Sequence, residues 1–175
     1  VWQSNPIRYY FESVHIVGGE RGVYLSSITA GASYELVMKD STVKFARGFN
    51  GIDASAASLT ILQNVIVSQN ENDGIGYYNI LGGWDYISKA IEVNVTSRRN
   101  GEGNTANGET LNGSTTHYYC AVIRVGGSYT RNKGPNIADV GGAQSWNLGT
   151  AASASTATVN CGNFVIQDGQ MWLHR

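Results

Sequence analysis

The stretch Val65–Gly76, which reads VIVSQNENDGIG, decides the fold of this chain. It joins a β-branched strand, Val65-Ile66-Val67, to an Asn-Asp-Gly turn about five residues later. Related copies read Val43-Lys44-Phe45 before Asn50-Gly51-Ile52, Val93-Asn94-Val95 before Asn100-Gly101-Glu102-Gly103, and, more weakly, Ser128-Tyr129-Thr130 before Gly134-Pro135-Asn136-Ile137. Self-similarity at a spacing of about 20 to 50 residues indicates an architecture of stacked coils, in which each coil buries its apolar side against its neighbours.

The spacing of the copies indicates coils of unequal length. The steps Val43 to Val65, Val65 to Val93 and Val93 to Ser128 are 22, 28 and 35 residues. The repeated unit is a short strand of period two and not an amphipathic helix, so a parallel β-helix fits better than helical repeats. We therefore predict an all-β parallel β-helix, or solenoid, with irregular coils and loop insertions between strands.

Most of the chain reads as short strands bounded by Gly, Asn, Asp or Ser, which tolerate turn geometry. The expected strands are SVHIV, GVYLSS, YELVM, STVKFA, LTILQNVIVS, AIEVNVTS, YCAVIRVGGSYT and TATVNCGNFVIQ. One brief helix is expected near Asp85 to Ile91, after Gly82-Gly83.

Composition supports one globular domain over residues 1–175. The chain has 22 Gly, 2 Pro, 42% hydrophobic and 14% charged residues, which excludes disorder. The formal net charge of -1 gives no electrostatic case for nucleic acid, and no apolar run predicts membrane insertion. Because the chain opens at Val1 without Met and stops just after the strand-like MWLHR, we expect a piece of a longer polypeptide.

Several polar residues have structural explanations. Asn50, Asn72 and Asn100 follow their strands at one spacing, so stacking predicts a ladder of side-chain amides, with ligand binding as the alternative. Cys120 and Cys161 are interpreted as buried thiols, with a disulfide or no relation as alternatives. The three His residues show no metal-ligand spacing, so we predict neither a metal site nor a cofactor.

Two insertions are the first candidates for a functional site. They read GYYNILGGWDYISKA, from Gly76 to Ala90, and GNTANGETLNGSTTHYYC, from Gly103 to Cys120. Loops on a rigid scaffold are where binding and catalysis concentrate. The first insertion gathers four aromatic side chains beside a carboxylate, a combination that suits the apolar faces and polar hydroxyls of sugars. The proposed sugar contacts are Tyr77, Tyr78, Trp84, Tyr86 and Asp85; the alternative is that these aromatics pack under the loop.

Acidic residues form a second candidate. Asp53, Asp73, Glu102 and Asp139 each follow a repeat strand, so coils in register would place them in one file. Two neighbouring carboxyls about 5 to 10 Å apart could cleave a glycosidic bond if one had a raised pKa. We assign Asp73 and Glu102 as the catalytic pair and Asp139 to substrate binding. The alternative is a solvated acidic edge.

Basic residues lie close to these acids in the sequence. Arg98, Arg99 and Arg131 could neutralise an acidic sugar or pair with the carboxylates. We assign Arg98 and Arg99 to substrate binding.

The later segment resembles a known family. AVIRVGGSYTRNKGPNIADVGGAQSWNLGTAA, from Ala121 to Ala152, followed by NFVIQDGQMWL, is similar to the right-handed parallel β-helix of bacteriophage tailspike and tail-fibre proteins, in the pectate-lyase-like superfamily. The resemblance implies a homotrimer, located on a virion tail or otherwise extracellular, that binds and often cleaves bacterial surface polysaccharide. Neither the Asp-Pro-His cluster of alginate epimerases nor the acidic calcium pattern of pectate lyases is found in the sequence.

Three functions remain open from sequence. The first is a carbohydrate-binding β-helix of a phage receptor-binding protein, with or without depolymerase activity. The second is a cellular polysaccharide hydrolase or lyase of the same fold. The third is a structural shaft or adhesin segment without a site. A groove along the acids would favour the first two, whereas buried aromatics on a smooth side would favour the third.

Overall fold

The described part of the chain is a parallel β-solenoid. A computed structural model describes residues 7–26, 34–55, 57–78, 88–102, 113–117, 120–141, 143–152, 159–161, 164–167 and 170–173. Every regular element in these ranges is a β-strand, and three parallel sheets hold all but the last two strands. The prediction of an all-β parallel β-helix is therefore confirmed.

Each coil gives one strand to each sheet in turn. Sheet A contains β1 (Ile7–Glu12), β4 (Tyr34–Lys39), β7 (Ala57–Gln63), β10 (Ser88–Val93), β13 (Cys120–Val125), β16 (Gln144–Leu148) and β18 (Val159–Cys161). Sheet B contains β2 (His15–Val17), β5 (Thr42–Lys44), β8 (Ile66–Ser68), β11 (Thr96–Arg98), β14 (Ser128–Thr130) and β17 (Ala151–Ala152). Sheet C contains β3 (Val23–Ser26), β6 (Ile52–Ser55), β9 (Ile75–Tyr77), β12 (Ser114–Thr116) and β15 (Ile137–Asp139).

The coils differ in length, as predicted, but the repeat was aligned two residues out of register. Val43 pairs with Val67 and not with Val65, and Val67 pairs with Ser97. Hydrogen bonds between equivalent side chains span 24, 30 and 32 residues in successive coils. The prediction failed because Val65 lies in the turn that precedes β8, where it is also buried.

Two predictions about individual elements are wrong. Ser88–Val93, which overlaps the expected helix, is strand β10 and pairs with β7 and β13 on its two sides. The segments LTILQNVIVS, AIEVNVTS and YCAVIRVGGSYT are each two strands, because a residue with positive φ bends the chain from sheet A to sheet B. Those residues are Asn64, Asn94 and Gly126, with φ of 53°, 52° and 62°.

The interior changes from apolar to polar along the solenoid. One inward file of sheet A reads Phe11, Met38, Leu62, Glu92, Arg124 and Asn147. In the early coils the core is made by side chains such as Leu36, Met38, Val43 and Ile52, all 0% exposed. The later coils instead enclose Glu92 and Arg124, at 1% and 0% exposure. Such charges must be paired to be tolerated in an interior.

A ladder of Asn side chains runs inside the turn between sheets B and C. The Nδ2 of Asn70 donates to the Oδ1 of Asn100 at 2.9 Å, and the Nδ2 of Asn100 donates to the Oδ1 of Asn132 at 2.9 Å. The predicted ladder exists, but only Asn100 was assigned correctly. Asn72 donates to the carbonyl of Gly48, and Asn50 donates to the hydroxyl of Tyr78.

The remaining strands form a separate hairpin. β19 (Phe164–Gln167) and β20 (Gln170–Leu173) pair with each other in antiparallel fashion. Cys120 is buried, as predicted, whereas the side chain of Cys161 lies outside the described part. Within the described ranges, no helix is long and apolar enough to cross a membrane.

Candidate functional site: a groove along the turn between sheets B and C

A groove crosses several coils on the outer side of the turn between sheets B and C. One hollow, of about 250 Å³, contains Phe45, Arg47, Gln69, Glu71, Arg99 and Glu102 in its wall, with Ala46 and Asn70 beside them. A second, of about 720 Å³, is lined by Val17, Gly18, Gly19, Glu20, Phe45 and Arg47. The two hollows share Phe45 and Arg47, so they are neighbours, and we call them together the groove.

The turn places one residue per coil in a file, of which Gly18, Phe45, Gln69 and Arg99 line the groove. Gly18, Phe45, Gln69, Arg99 and Arg131 each follow the last residue of a sheet B strand, and each has a positive φ between 56° and 82°. Successive coils stack about 4.8 Å apart, so these side chains form a file parallel to the solenoid axis. We call Phe45, Gln69, Arg99 and Arg131 the B–C file. The Asn ladder lies just behind it.

The groove combines an aromatic surface with charges of both signs. Phe45 is 40% exposed, and Arg47 is exposed beside it. The Nε of Arg99 lies 3.1 Å from the Oε2 of Glu102, with about half of each side chain exposed to solvent. Exposed pairs of this kind are weak, so both groups can exchange partners for a ligand.

The wall of the groove is fixed from two sides. The amide of Arg47 donates to the carbonyl of Gly19 at 2.8 Å, and the side chain of Asn72 donates to the carbonyl of Gly48 at 3.0 Å. The Cζ of Arg21 lies 3.8 Å from the ring centroids of both Tyr24 and Phe49. The loop that carries Phe45 and Arg47 is therefore held to the coils on either side.

The outer face of sheet C carries a second polar cluster. Asp53 accepts a hydrogen bond from Ser55, and its Oδ2 lies 3.6 Å from Arg21. Burial raises the pKa of Asp53, although the hydrogen bond from Ser55 and the charge of Arg21 oppose that shift. The ring of Tyr78 stacks on His117 with centroids 4.0 Å apart. Burial lowers the pKa of His117, so its neutral form is favoured.

Because Gly76 has no side chain, the residues of this cluster can pack against the backbone of sheet C. Gly76 lies in register with Asp53 on one side and Thr115 on the other. A Cβ at Gly76 would come within 2.4 Å of the Tyr78 ring and 2.5 Å of the Asn50 amide. The Tyr78 ring therefore lies directly over the sheet backbone, where its hydroxyl accepts from Asn50 at 3.2 Å.

The predicted acids do not form a file. Asp53 pairs in register with Gly76, and Asp139 pairs with Thr116, which faces the interior. Asp73 is 7% exposed and accepts a hydrogen bond from Thr115 at 2.7 Å. Asp139 accepts from Ser145 at 3.0 Å. Insertions of unequal length place the four carboxyls at different positions around the coil.

The other predicted site residues divide between the groove, the sheet C face and the core. Arg99 and Glu102 line the groove, and Arg98 lies exposed at the end of β11. Tyr78 belongs to the cluster on sheet C. Tyr77 is only 2% exposed, so it is a core residue and not part of an exposed aromatic surface. Trp84, Asp85 and Tyr86 lie outside the described residues.

A buried ionic network inside the solenoid was missed from sequence. The Oε1 of Glu92 accepts from Tyr77 at 2.8 Å and from Ser114 at 3.1 Å, and Tyr129 donates to its Oε2. The Nε of Arg124 lies 3.5 Å from the same Oε2. Burial and the Glu92 carboxylate raise the pKa of Tyr77 well above its ordinary value. No signal in the sequence indicates this pair, because IEV in β10 and IRV in β13 are equally compatible with charges that point outward.

Sequence reasoning also missed Phe45 and Gln69. The dipeptides Gln69-Asn70, Arg99-Asn100 and Arg131-Asn132 each follow a three-residue strand, and this pattern could have revealed the B–C file. Within the described ranges, no three His, Cys, Asp or Glu side chains are grouped as metal ligands.

Comparisons with known proteins give no relative. No protein-family model matches the chain, and no significant match is found among curated proteins or among solved structures. The function is therefore inferred from the geometry and chemistry of the groove.

Proposed function

We propose that this chain is a carbohydrate-binding β-helix and that an extended polysaccharide lies in the groove along the turn between sheets B and C. The observation that carries the proposal is the exposed ring of Phe45, which is 40% accessible and shared by both hollows. An aromatic face surrounded by guanidinium, carboxylate and amide groups suits a sugar, whose ring has apolar faces and polar edges.

The shape of the groove favours a polymer over a single sugar. Its walls come from four successive coils, at Gly18, Phe45, Gln69 and Arg99. At about 4.8 Å per coil, those positions span roughly 14 Å along the solenoid. Because the parallel stack is rigid, this spacing is fixed, and a polymer with regular repeats can contact the equivalent turn in successive coils.

The source we propose for the ligand is a bacterial surface polysaccharide. The β-helix architecture is compatible with the resemblance to phage tailspike and tail-fibre proteins, and we propose the same setting, a virion tail or an extracellular surface.

A glycan array tests the proposal. The intact chain and Phe45→Ala should be compared on printed bacterial polysaccharides, with Ile66→Ala as a matched variant because Ile66 has similar exposure, 39%, on the sheet B strand outside the groove. Loss of a stacked ring should weaken binding by about 1 to 3 kcal/mol, or roughly 5- to 150-fold. Equal binding by wild type and Phe45→Ala would refute the site, and no binding to any polysaccharide would refute the function.

Cleavage of the bound glycan is a separate proposal. Asp73 and Glu102 remain our candidates for the acid and its partner, although Asp73 is held by Thr115 and Glu102 by Arg99. Mass analysis of array-positive polysaccharides after incubation would reveal shortened products. Asp73→Asn or Glu102→Gln should then lower the rate by about two orders of magnitude or more while the binding of intact polymer persists. Unchanged turnover in both variants would exclude this pair.

We also propose that the chain forms a homotrimer through sheet A. An outward apolar file runs along that sheet and contains Tyr10, Val37, Ile61, Ile91, Ile123 and Trp146. Ile91 and Ile123 are 36% and 40% exposed, and apolar faces of this kind are typical of obligate interfaces. Light scattering should give three times the monomer mass, and Ile91→Lys with Ile123→Lys should give monomers. A monomeric wild type would refute this assembly.

A further inference from the structure

Both turns of each coil contain a residue with positive φ, but different types of residue occupy this position in the two turns. Between sheets A and B, the residue with positive φ is Ser13, Asp40, Asn64, Asn94, Gly126 or Gly149. Between sheets B and C, it is Gly18, Phe45, Gln69, Arg99 or Arg131. Asn, Asp and Gly adopt this conformation readily, whereas Phe, Gln and Arg do so at a greater cost in free energy.

The comparison can be made within single coils. The coil that has Asn64 at its first turn has Gln69 at its second, and the coil that has Asn94 has Arg99. At the first turn, the Asn side chains also support one another, since Asn94 donates to Asn64 at 3.0 Å. The same chain therefore uses the favourable residue at one turn and a less favourable residue at the other.

Contacts within the described part of the protein contribute little to the choice at the second turn: the Nζ of Lys44 lies 5.9 Å from the centroid of the Phe45 ring, which is a distant cation–π contact. Phe45 is 40% exposed, and Gln69, Arg99 and Arg131 are exposed as well. The ion pair between Arg99 and Glu102 lies at the surface, where such pairs contribute little to stability. Backbone conformations that lower stability persist where the side chain serves a function.

Charge is distributed unevenly along the file. Near Phe45 the groove contains Arg47 together with the carboxylates of Glu20 and Glu71. Beyond Gln69 three guanidinium groups occur, those of Arg98, Arg99 and Arg131, and Glu102 is the carboxylate paired with Arg99. One end of the file thus offers an aromatic face among charges of both signs, with Lys44 and Arg47 offsetting Glu20 and Glu71, whereas the other offers guanidinium groups on adjacent coils.

We infer that the B–C file binds a uronic-acid-containing polysaccharide and that one side chain in each coil contacts it along the solenoid axis. A sugar ring stacks on Phe45, and a carboxylate of the glycan binds the guanidinium groups of Arg99 and Arg131, which suit carboxylates as paired donors. Guanidinium groups are in excess only at the Arg99 and Arg131 end, so the acidic sugar binds there, which sets the direction of the chain. This inference rests on the proposed carbohydrate-binding function and adds the class of glycan.

Asparagine substitutions separate recognition from folding. Phe45→Asn and Arg131→Asn place a residue that favours positive φ at each position, so the melting temperature should stay equal or rise while glycan affinity falls by about tenfold or more. Asn94→Arg makes the opposite change at the turn between sheets A and B. It should lower the melting temperature and leave glycan affinity unchanged.

The probes are uronic-acid-containing capsular polysaccharides from bacteria, each printed in its native form and in its carboxyl-reduced form. Reduction converts the acidic sugar to the neutral one and keeps the linkages. We expect the wild type to bind a native form at least tenfold more tightly than its reduced form, and Arg131→Asn to lose this preference.

The outcomes distinguish this inference from the proposed function. Equal binding of native and reduced forms, or a preference for the reduced form, overturns the acidic ligand while carbohydrate binding stands. Asparagine variants that bind like wild type, or that melt at markedly lower temperature, show that the file does not serve recognition. A chain that binds no polysaccharide refutes the proposed function and the inference together.

Discussion

The ion pair inside the solenoid gives the strongest prediction about stability. Arg124→Met removes a guanidinium that is 0% exposed and leaves the carboxylate of Glu92, 1% exposed, in the core. Breaking a buried pair typically costs about 3 to 5 kcal/mol. Three hydroxyl donors, from Tyr77, Ser114 and Tyr129, still contact Glu92 in this variant. We therefore expect a loss at the lower end, about 3 kcal/mol.

The reciprocal variant, which removes the carboxylate, should lose more stability than Arg124→Met. Glu92→Leu leaves the guanidinium with hydrogen bonds to the hydroxyls of Ser114 and Thr116, at 2.7 and 3.2 Å. The Nε and Nη1 of this buried guanidinium have no hydrogen-bond partner among the described residues, so removal of the carboxylate leaves the cation poorly compensated. We expect a loss of about 5 kcal/mol, or a chain that does not fold. The double variant Glu92→Leu with Arg124→Met should recover most of the stability, because neither charge remains.

Equilibrium urea unfolding of the four proteins, followed by circular dichroism, measures this cycle. A coupling energy of about 2 kcal/mol or more is expected between the two sites. Additive losses, or a double variant less stable than both single variants, would refute the pairing of these two charges.

Three further predictions concern the ladder, a tight contact and pH. Asn100→Ala removes the central rung between Asn70 and Asn132 and should destabilise the fold by about 1 to 3 kcal/mol in urea unfolding; a loss below 0.5 kcal/mol would exclude the ladder. Gly74→Ala should lower the melting temperature by about 4 °C or more, because its Cβ would lie 2.6 Å from the carbonyl of Gly113; an unchanged melting temperature would contradict that approach. The pKa of Asp53 is raised, so the stability that this carboxyl contributes is greatest below its unfolded pKa, about 3.9, and is lost as the pH rises through its folded pKa. Urea unfolding of wild type and Asp53→Asn from pH 3 to 7 should show that the variant lacks this pH dependence. Identical pH profiles of stability for the two proteins would contradict the shift.

The fold could be predicted from sequence because its signals are local. Short β-branched runs ending at Asn and Gly identify stacked strands, and unequal spacing identifies insertions between them. The register could not be read in the same way. Val65 and Val67 are both apolar and both buried, so only the pairing of Val67 with Val43 shows which one belongs to sheet B.

The site was harder to predict for a physical reason. Whether a charged residue in a strand points inward depends on register, so Glu92 and Arg124 look like surface residues until their strands are aligned. The acids Asp53, Asp73, Glu102 and Asp139 seemed to share a position because they were counted from the wrong anchors. Arg99 and Glu102 are exposed because they follow a strand end, where side chains reach solvent in any register.

Amide NMR shifts reveal whether a polysaccharide binds along the B–C file. The labelled chain would be titrated with the array-positive glycan that binds most tightly. The account predicts shifts of the amides of Phe45, Gln69, Arg99 and Arg131, with none at Asp40, Asn64 and Asn94, which occupy the opposite turn of the same coils. Shifts confined to that opposite turn or to sheet A, or no shifts under saturating glycan, would contradict it.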